Sequence, residues 1–379
     1  MKRRLRQITS LLLLFIILIS IPACRKKSGE PVKELIDLGI PLLTRYSDET
    51  LETRLSRRSD DMIVYDGRLY VGCGDYTANT GPVPIFSMEL EEREWHSDQA
   101  FEDEQIKRFE VINGSLWVPA TDPMGNDWSK GGFYYMQDGK WTGCREIPSA
   151  IHCFDIEVYG GKTFFGLGVN SGDFPVAATA DGETYESIPF VRDGVALDTT
   201  ACEYVRTYNL SVFGGTLYAF LTLGNLDQLS YDVYVYDGEV FRYFSTPAEV
   251  FRRGYDLYHT AEFAGRNVFI NGYCYFTTED MVDFRPCRVG DSDLACDFEI
   301  IDGTLYVLAY RRLSDKKYEV GMYTSENGKD FEKRFYFDYE IPANSFAYAD
   351  GIFYFSMGRY YDADSPEMGR VLAVEYLAK

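Results

Sequence analysis

Short apolar stretches that are joined in pairs by a tight glycine turn recur along this chain of 379 residues. One copy reads FEIIDGTLYVLAY, from Phe298 to Tyr310, with apolar and aromatic residues on both sides of Asp302-Gly303. Two-residue turns of this kind between β-prone runs predict β-hairpins. Six other copies of the phrase exist, and the seven turn glycines are Gly67, Gly114, Gly161, Gly215, Gly265, Gly303 and Gly351.

The spacing of these glycines predicts the architecture. Neighbouring copies lie between 38 and 54 residues apart, and a period of about 45–50 residues that carries only strands is typical of a β-propeller. A second hairpin follows the first, as in YDVYVYDGEVFRYFS from Tyr231. Each copy should therefore form a four-stranded blade, with strands A to D running outward from a central channel. Seven copies predict an all-β propeller of seven blades.

The last copy ends after its third strand, close to Lys379. A blade without its outer strand leaves an open edge and an open ring. The segment 35–57, LIDLGIPLLTRYSDETLETRLSR, has enough apolar and β-prone residues to supply that strand. We therefore expect an N-terminal strand to complete the last blade of a single domain, residues 34–379. The alternative is an irregular docking segment with six or eight blades.

The first residues indicate export. A basic start, MKRRLR, precedes the apolar run ITSLLLLFIILIS and then IPAC, which is the order of a secretory signal. IPAC resembles the lipobox of bacterial lipoproteins, which implies that residues 1–23 are the signal, that Cys24 is lipidated and that 24–33 form a tether. We expect the protein to be extracytoplasmic and anchored to the bacterial cell membrane through this lipid. An uncleaved signal anchor is the alternative.

The charge of the chain limits its partners. It has 59 acidic and 38 basic residues, a formal net charge of −21, so its surface should repel nucleic acid. Solubility outside the cytoplasm explains this charge, and cation binding or a basic partner is the alternative. With 46% hydrophobic residues the chain can bury a core. We expect a monomer without a cofactor.

Three predicted turns between strands C and D carry a family resemblance. TSENGKDF, Thr324 to Phe331, resembles the Asp-box of sialidase-like and other BNR-repeat propellers, with Thr324 as the hydroxyl, Glu326 as the acid, Gly328 as the glycine and Phe331 as the aromatic. TTEDMVDF from Thr277 is a weaker copy, and TADGETY from Thr179 is one residue short. The resemblance implies a propeller and is nearly silent on function, because unrelated activities share this hairpin.

A sialidase would need more than the hairpin. The resemblance would then imply three arginines around a carboxylate, a Tyr nucleophile with a Glu partner, an acid/base Asp, and a Phe/Tyr-Arg-Ile-Pro motif. The motif is absent, and DFRPC and CREIP are only fragments of it in predicted outer strands. No catalytic residue is therefore assigned.

The face built by the B–C and D–A loops is where propellers usually bind. Long polar B–C loops, such as TLGNLDQLSY and AYRRLSDKKYE, carry aromatic, carboxylate and amide groups that suit a sugar. Ordinary solvated loops are the alternative. The candidates, with the histidines and arginines near the channel mouth, are Asp75, Tyr76, Asp122, Asp127, Trp128, His152, Asn170, Asp173, Arg206, Asn225, His259, Arg311, Tyr360 and Tyr361.

The sequence favours no metal site. Only three histidines are present and no zinc motif links them. DADSPE, from Asp362 to Glu367, lacks the glycine and the ligand spacing of a calcium loop.

The cysteines allow one disulfide. Aligning Thr277 with Phe284 across their turn would place Cys274 opposite Cys287 on strands C and D of the fifth copy. We therefore predict a possible bridge between Cys274 and Cys287.

These observations favour a lipid-anchored binding protein for a glycan or another small polar ligand. A sialidase-like glycoside hydrolase and a protein-docking scaffold of the envelope are the alternatives.

Overall fold

The computed structural model describes residues 29–48, 50–77, 80–124, 131–225, 227–247 and 257–376. The predicted signal, Cys24, Asp127 and Trp128 lie outside these residues. Strands dominate the described chain, which has one short α-helix, α1 (Leu51–Ser56), and 3-10 turns at Pro41–Thr44 and Tyr360–Asp362. No helix in these ranges is long and apolar enough to cross a membrane.

The first four predicted copies, which we call units 1 to 4, each form an antiparallel meander. Their strands are β3 (Met62–Tyr65), β4 (Arg68–Val71), β5 (Val83–Glu89) and β6 (Trp95–Phe101) in unit 1; β7 (Glu110–Ile112), β8 (Ser115–Ala120), β9 (Gly132–Gln137) and β10 (Lys140–Cys144) in unit 2; β11 (Ala150–Tyr159), β12 (Lys162–Val169), β13 (Val176–Thr179) and β14 (Glu186–Ser187) in unit 3; and β17 (Tyr204–Phe213), β18 (Thr216–Asn225), β19 (Gln228–Tyr236) and β20 (Phe241–Ser245) in unit 4. A small hairpin, β15 (Phe190–Arg192) and β16 (Val195–Ala196), lies between units 3 and 4.

Units 5 to 7 follow the same order, with two extra strands from the N-terminal segment. Their strands are β21 (Leu257–Phe263), β22 (Arg266–Asn271), β23 (Cys274–Thr278) and β24 (Arg285–Cys287) in unit 5; β25 (Leu294–Ile301), β26 (Thr304–Ser314), β27 (Lys317–Ser325) and β28 (Glu332–Tyr339) in unit 6; and β29 (Ala343–Ala349), β30 (Ile352–Met357) and β31 (Val371–Glu375) in unit 7. The extra strands are β1 (Glu30–Pro31) and β2 (Ile36–Asp37).

The N-terminal strand closes the ring as predicted. β2 pairs antiparallel with β31, with Ile36 opposite Ala373, and is the outer strand of unit 7. β1, inside the predicted tether, pairs parallel with β28 and adds a fifth strand to unit 6. The innermost strand of unit 7 packs against that of unit 1, so the β-propeller is closed.

The prediction of seven separate blades is wrong. Five units form separate sheets of four or five strands, whereas units 3 and 4 share one ten-stranded sheet. The merger occurs where β12 pairs with β17, with Gly168 opposite Arg206. A Cβ atom on Gly166 would lie 2.8 Å from the Thr207 carbonyl oxygen. The strands therefore approach this closely because these positions are glycine.

The C–D turns form the expected hydrogen bonds, but one residue later in two units. In unit 6 the Ser325 hydroxyl accepts from the Gly328 amide at 2.9 Å, and the Asn327 side chain accepts from the next two amides at 2.9 Å. Ser325 and Asn327 thus take the roles predicted for Thr324 and Glu326, because β27 continues through Ser325. The corresponding pairs elsewhere are Thr278 with Asp280 and Thr179 with Asp181.

The predicted disulfide is absent. Cys287 lies opposite Tyr275 rather than Cys274, so the two cysteines face opposite sides of the sheet and form no bridge with each other. The register differs by one residue from the expected one because the turn caps on Thr278. Alternation along β23 then separates the two side chains.

Two of the predicted long B–C loops are ordered hairpins. In unit 4 the strands continue to Asn225 and resume at Gln228, and in unit 6 they continue to Ser314 and resume at Lys317. The polar residues of both segments therefore lie on strands. Cross-strand pairing extends these two units on the side of the B–C and D–A connections, which we call the mouth face.

Candidate functional site

A ring of polar residues lines the centre of the propeller. It lies six positions before each turn glycine, on the innermost strand or, in units 1 and 2, just before it. The seven residues are Asp61, Arg108, Asp155, Asn209, His259, Asp297 and Ser345.

Three aspartates of this ring tie neighbouring units together. Asp61 accepts from the Met62 amide at 2.8 Å and from the Phe109 amide of unit 2 at 2.7 Å. Asp155 likewise accepts from the amide of Ile156 and from one amide of unit 4. Asp297 accepts from the amide of Phe298 and from one amide of unit 7. Each carboxylate thereby satisfies one amide of its own strand and one of the next unit.

Ionisable side chains fill the channel between these three aspartates. The Arg108 guanidinium lies 2.9 Å from an Asp155 oxygen and also pairs with Glu110. The His259 ring nitrogen Nε2 lies 3.9 Å from Asp61 and 3.8 Å from Asp297. These contacts join units 1, 2, 3, 5 and 6, so we assign the channel centre a structural role.

Burial sets the protonation of this centre. It raises the pKa of Asp61 and Glu110 to about 8, although Arg108 acts in the opposite direction on both. Burial also raises the pKa of Glu157 and Glu299 to about 7. The pKa of His259 is lowered to about 3, first by burial and then by the charge of Arg108.

The structure brings three predicted candidates together on the mouth face. The first contact joins His152 to unit 2: its Nδ1 lies 2.7 Å from the Thr121 carbonyl oxygen and 3.3 Å from Asp122. Because a carbonyl only accepts, Nδ1 must carry a proton. When the ring is neutral, its Nε2 is therefore an acceptor. The ring stacks with Phe154 at 5.3 Å, and Phe154 lies 4.6 Å from the Tyr208 ring.

Arg206 is the second part of this arrangement. Gly168 pairs with His152 on one side and with Arg206 on the other. A Cβ atom on Gly168 would lie 2.5 Å from the Arg206 Nη1 and 2.6 Å from the His152 ring, so glycine allows both side chains to meet there. We call Asp122, His152, Phe154, Arg206 and Tyr208 the Arg206 site.

The Arg206 guanidinium has no carboxylate partner in the described part of the chain. It stacks on the Tyr204 ring at 4.5 Å, and its buried Nη1 has no hydrogen-bond partner among the described residues. Other arginines near the mouth face pair with acids: Arg311 with Glu319 at 2.9 Å, and Arg359 with Asp362 at 2.9 Å. A buried guanidinium nitrogen without a partner is costly, which makes the partly buried Arg206 a candidate anion-binding residue.

The remaining candidates lie elsewhere. Asp75 is buried and caps its own loop by accepting from the Thr77 amide at 2.8 Å. Tyr76 is 43% exposed and lies under the Lys107 ammonium. Arg311 lies on β26 of unit 6 and also pairs with Asp291, in the connection before β25, at 3.2 Å.

Other candidates lie on the mouth face, either in loops or, for Asn225, at the end of β18. The carbonyl oxygen of Asn170 accepts from the Asp173 amide at 3.3 Å. The Asn225 side chain accepts from the Glu203 amide at 3.2 Å. Tyr360 and Tyr361 lie in a 3-10 turn, where Tyr361 is 79% exposed. His259 lies in the channel, as described above.

Sequence reasoning missed Phe154 and Tyr208, which read as ordinary strand residues. It also missed the polar ring of the channel, although a fixed offset of six residues from each turn glycine identifies it. Among the described residues, no group of three or more His, Cys, Asp or Glu side chains could hold a metal ion.

The fold defines the chain as a β-propeller protein, and comparisons add only a likeness in fold. No known family matches the sequence, and no curated protein matches it. One similar structure is a putative 6-phosphogluconolactonase from Bacteroides fragilis, with 12% identity over 77% of this chain and 88% of that chain and a TM-score of 0.47. A second is a PL25 polysaccharide lyase described as an ulvan lyase, with 12% identity over 83% of this chain and 91% of that chain and a TM-score of 0.49. A third is PorZ, a surface component of the type-IX secretion system of Porphyromonas gingivalis, with 11% identity over 84% of this chain and 46% of that chain and a TM-score of 0.46. The Asp-box family remains a resemblance.

Proposed function

We propose that the protein is a lipid-anchored extracytoplasmic binding protein that recognises a glycan, or another small polar ligand, with an acidic group at the Arg206 site. The observation that carries this proposal is the partly buried Arg206 guanidinium, which lacks a carboxylate in a chain with a net charge of −21. A ligand carboxylate would supply the two parallel hydrogen bonds that arginine favours.

The neighbouring side chains suit the rest of a sugar. Phe154 and Tyr208 offer aromatic surface, on which the apolar face of a sugar ring can pack. The His152 ring, held by the contact of Nδ1 with the Thr121 carbonyl oxygen, stacks with Phe154 and borders the same surface. The polar groups of the closed channel beneath hold the units together and are not offered to a ligand, so the ligand would stay at the mouth face.

Replacing Arg206 with glutamine should weaken binding of an acidic glycan by about tenfold or more, because a charge-assisted hydrogen-bond pair is lost. The measurement is calorimetric titration of the purified full chain in detergent with galacturonate and glucuronate oligosaccharides. Arg192→Gln is the matched control, since Arg192 pairs with Asp232 at 3.3 Å outside the site. Equal affinities of the two variants, or no binding by the unaltered chain, would contradict the proposal.

Lipidation of Cys24 is the second part of the proposal, and IPAC at residues 21–24 supports it. Cys24→Ser should accumulate as a larger unprocessed precursor, whereas the unaltered chain should be shortened and should partition into detergent. Gel mobility and phase separation of the two forms measure this. Identical processing of both forms would refute the anchor.

A further inference from the structure

Unit 5 forms a step on the mouth face. Its β22 and β23 have 6 and 5 residues and are joined through Gly272-Tyr273, whereas β26 and β27 of unit 6 have 11 and 9 residues. Both B strands start directly after their turn glycine, so the extra five residues of β26 all extend toward the mouth face. At about 3.3 Å per residue they rise about 16 Å above unit 5.

A cleft of about 380 Å³ opens at this step, and we call it the unit-5 cleft. Its size lies within the range of small-ligand sites, about 300–1,000 Å³. Its lining residues come from the B–C turn, β23 and β24 of unit 5, the D–A connection and the start of β25. They are Tyr273, Cys274, Tyr275, Pro286, Cys287, Arg288, Val289, Ser292, Asp293, Leu294 and Ala295.

The D–A connection that forms one wall is held firmly against unit 6. A Cβ atom on Gly290, at φ +57°, would lie 2.5 Å from the Tyr323 ring, so only glycine allows this contact. The Tyr323 hydroxyl donates to Asp291 at 2.8 Å, and the Arg312 amide donates to Asp293 at 2.9 Å. The wall therefore exists before any ligand arrives, which lowers the entropic cost of binding.

The opposite wall belongs to the short turn of unit 5. Tyr273 has a positive φ of 63°, and its carbonyl oxygen accepts from the Ala295 amide at 2.9 Å. The Arg359 guanidinium lies 5.5 Å from the Tyr273 ring centroid. Contacts on both sides thus fix this aromatic side chain at the border between the cleft and the channel mouth.

The cleft combines groups of both charges with apolar surface. Arg288 and Asp293 are exposed, while Val289 and Ala295 are buried beneath them. Arg288 bonds weakly to two backbone carbonyls, at 3.3 and 3.4 Å. The guanidinium donates and the carboxylate accepts, so together they match hydroxyl groups, which do both. An anion would be repelled by Asp293, and an apolar ligand would displace water from both charged groups without replacing its hydrogen bonds.

We propose that the unit-5 cleft is a second ligand site, which takes one neutral sugar residue. Tyr273 and Leu294 offer surface to the sugar ring, and Arg288 and Asp293 bind its hydroxyls. The site rests on units 5 and 6, whereas the Arg206 site rests on units 2 to 4, so the two are independent. Both lie on the mouth face, where one branched or extended glycan could use them together.

Ligand-observed NMR of the full chain in detergent tests this site with methyl glycosides of glucose, galactose, mannose and N-acetylglucosamine. At least one glycoside should bind, and Arg288→Gln and Asp293→Asn should each lower its affinity about tenfold. Asparagine can still accept from the Arg312 amide, so the wall should remain intact. Arg285→Gln and Asp283→Asn are matched controls, because these exposed residues pair with each other outside the cleft.

Each outcome decides the proposal. Retained binding in both controls and in Arg206→Gln, with loss in the two cleft variants, supports it. Absence of binding by the unaltered chain overturns it, as does equal loss in a cleft variant and its control. Loss in Arg206→Gln alone also overturns it and assigns the glycosides to the Arg206 site.

Discussion

Replacing Arg108 with methionine should lower the free energy of unfolding by about 3–5 kcal/mol at pH 8, the usual cost of breaking a buried ion pair. The side chain of Arg108 is 12% exposed and that of its partner Asp155 is 2% exposed. Methionine fills much of the same space but leaves Asp155 and Glu110 without their cation. Denaturant unfolding of the full chain in detergent measures the loss.

The same variant should lose much less at pH 5. Burial holds the pKa of Glu110 at about 8, above the value near 4.3 of an unfolded glutamate. The folded state therefore binds more protons between about pH 4 and 8, and stability falls as the pH rises through this range. Glu157 and Glu299, with pKa values of about 7, act in the same direction, whereas His259 opposes them below about pH 6.5. Removing Arg108 should make the stability fall more steeply as the pH rises.

An exposed arginine provides the control. Arg312 pairs with Asp315 at 3.0 Å at the surface, so Arg312→Met should cost less than about 1 kcal/mol with little pH dependence. If both variants lost the same stability at pH 8, or if the loss for Arg108 were equal at pH 5, the charged channel centre would not stabilise the ring.

Deleting residues 29–39 should open the ring and cause the chain to aggregate. The deletion removes the pairing of Ile36 with Ala373, two backbone hydrogen bonds with Val371 at 3.0 and 2.8 Å, and the ion pair between Asp37 and Arg370 at 2.7 Å. At about 1 kcal/mol for each hydrogen bond the loss is several kcal/mol. The exposed edge of β31 would then pair with other chains.

Size-exclusion chromatography and thermal unfolding in detergent measure this effect. Deleting residues 25–28 is the control, since it keeps Cys24 and every pairing of β1 and β2. A monomeric Δ29–39 chain with an unchanged unfolding midpoint would show that the ring does not depend on these strands.

The fold was largely predictable because one physical signal repeats. Each turn glycine, such as Gly303 at φ +75°, marks a hairpin that few other residues allow. The count of separate blades was not predictable, because it depends on Gly166 and Gly168 letting two units approach. The register of Cys274 and Cys287 failed for a similar reason: a one-residue change of turn reverses the side-chain alternation.

The candidate site was predictable only in part. His152 stood out by residue type and by its predicted place just before an A strand, and Arg206 stood out as an arginine expected at the channel mouth. Phe154 and Tyr208 did not, because bulges in β11 and β17 interrupt the two-residue alternation that tells one face of a strand from the other. Asn225 and Arg311 were misplaced since long strands replaced the expected loops.

The pairing of Ile36 with Ala373 also constrains the order of folding. Two partners separated by more than three hundred residues cannot meet until the later one has been synthesised, and contacts of such long range form slowly. Until then β1 and β2 stay unpaired while the central units fold. Closure of the ring should therefore be the last and slowest step of folding, and the unpaired edge of β31 is exposed until it happens.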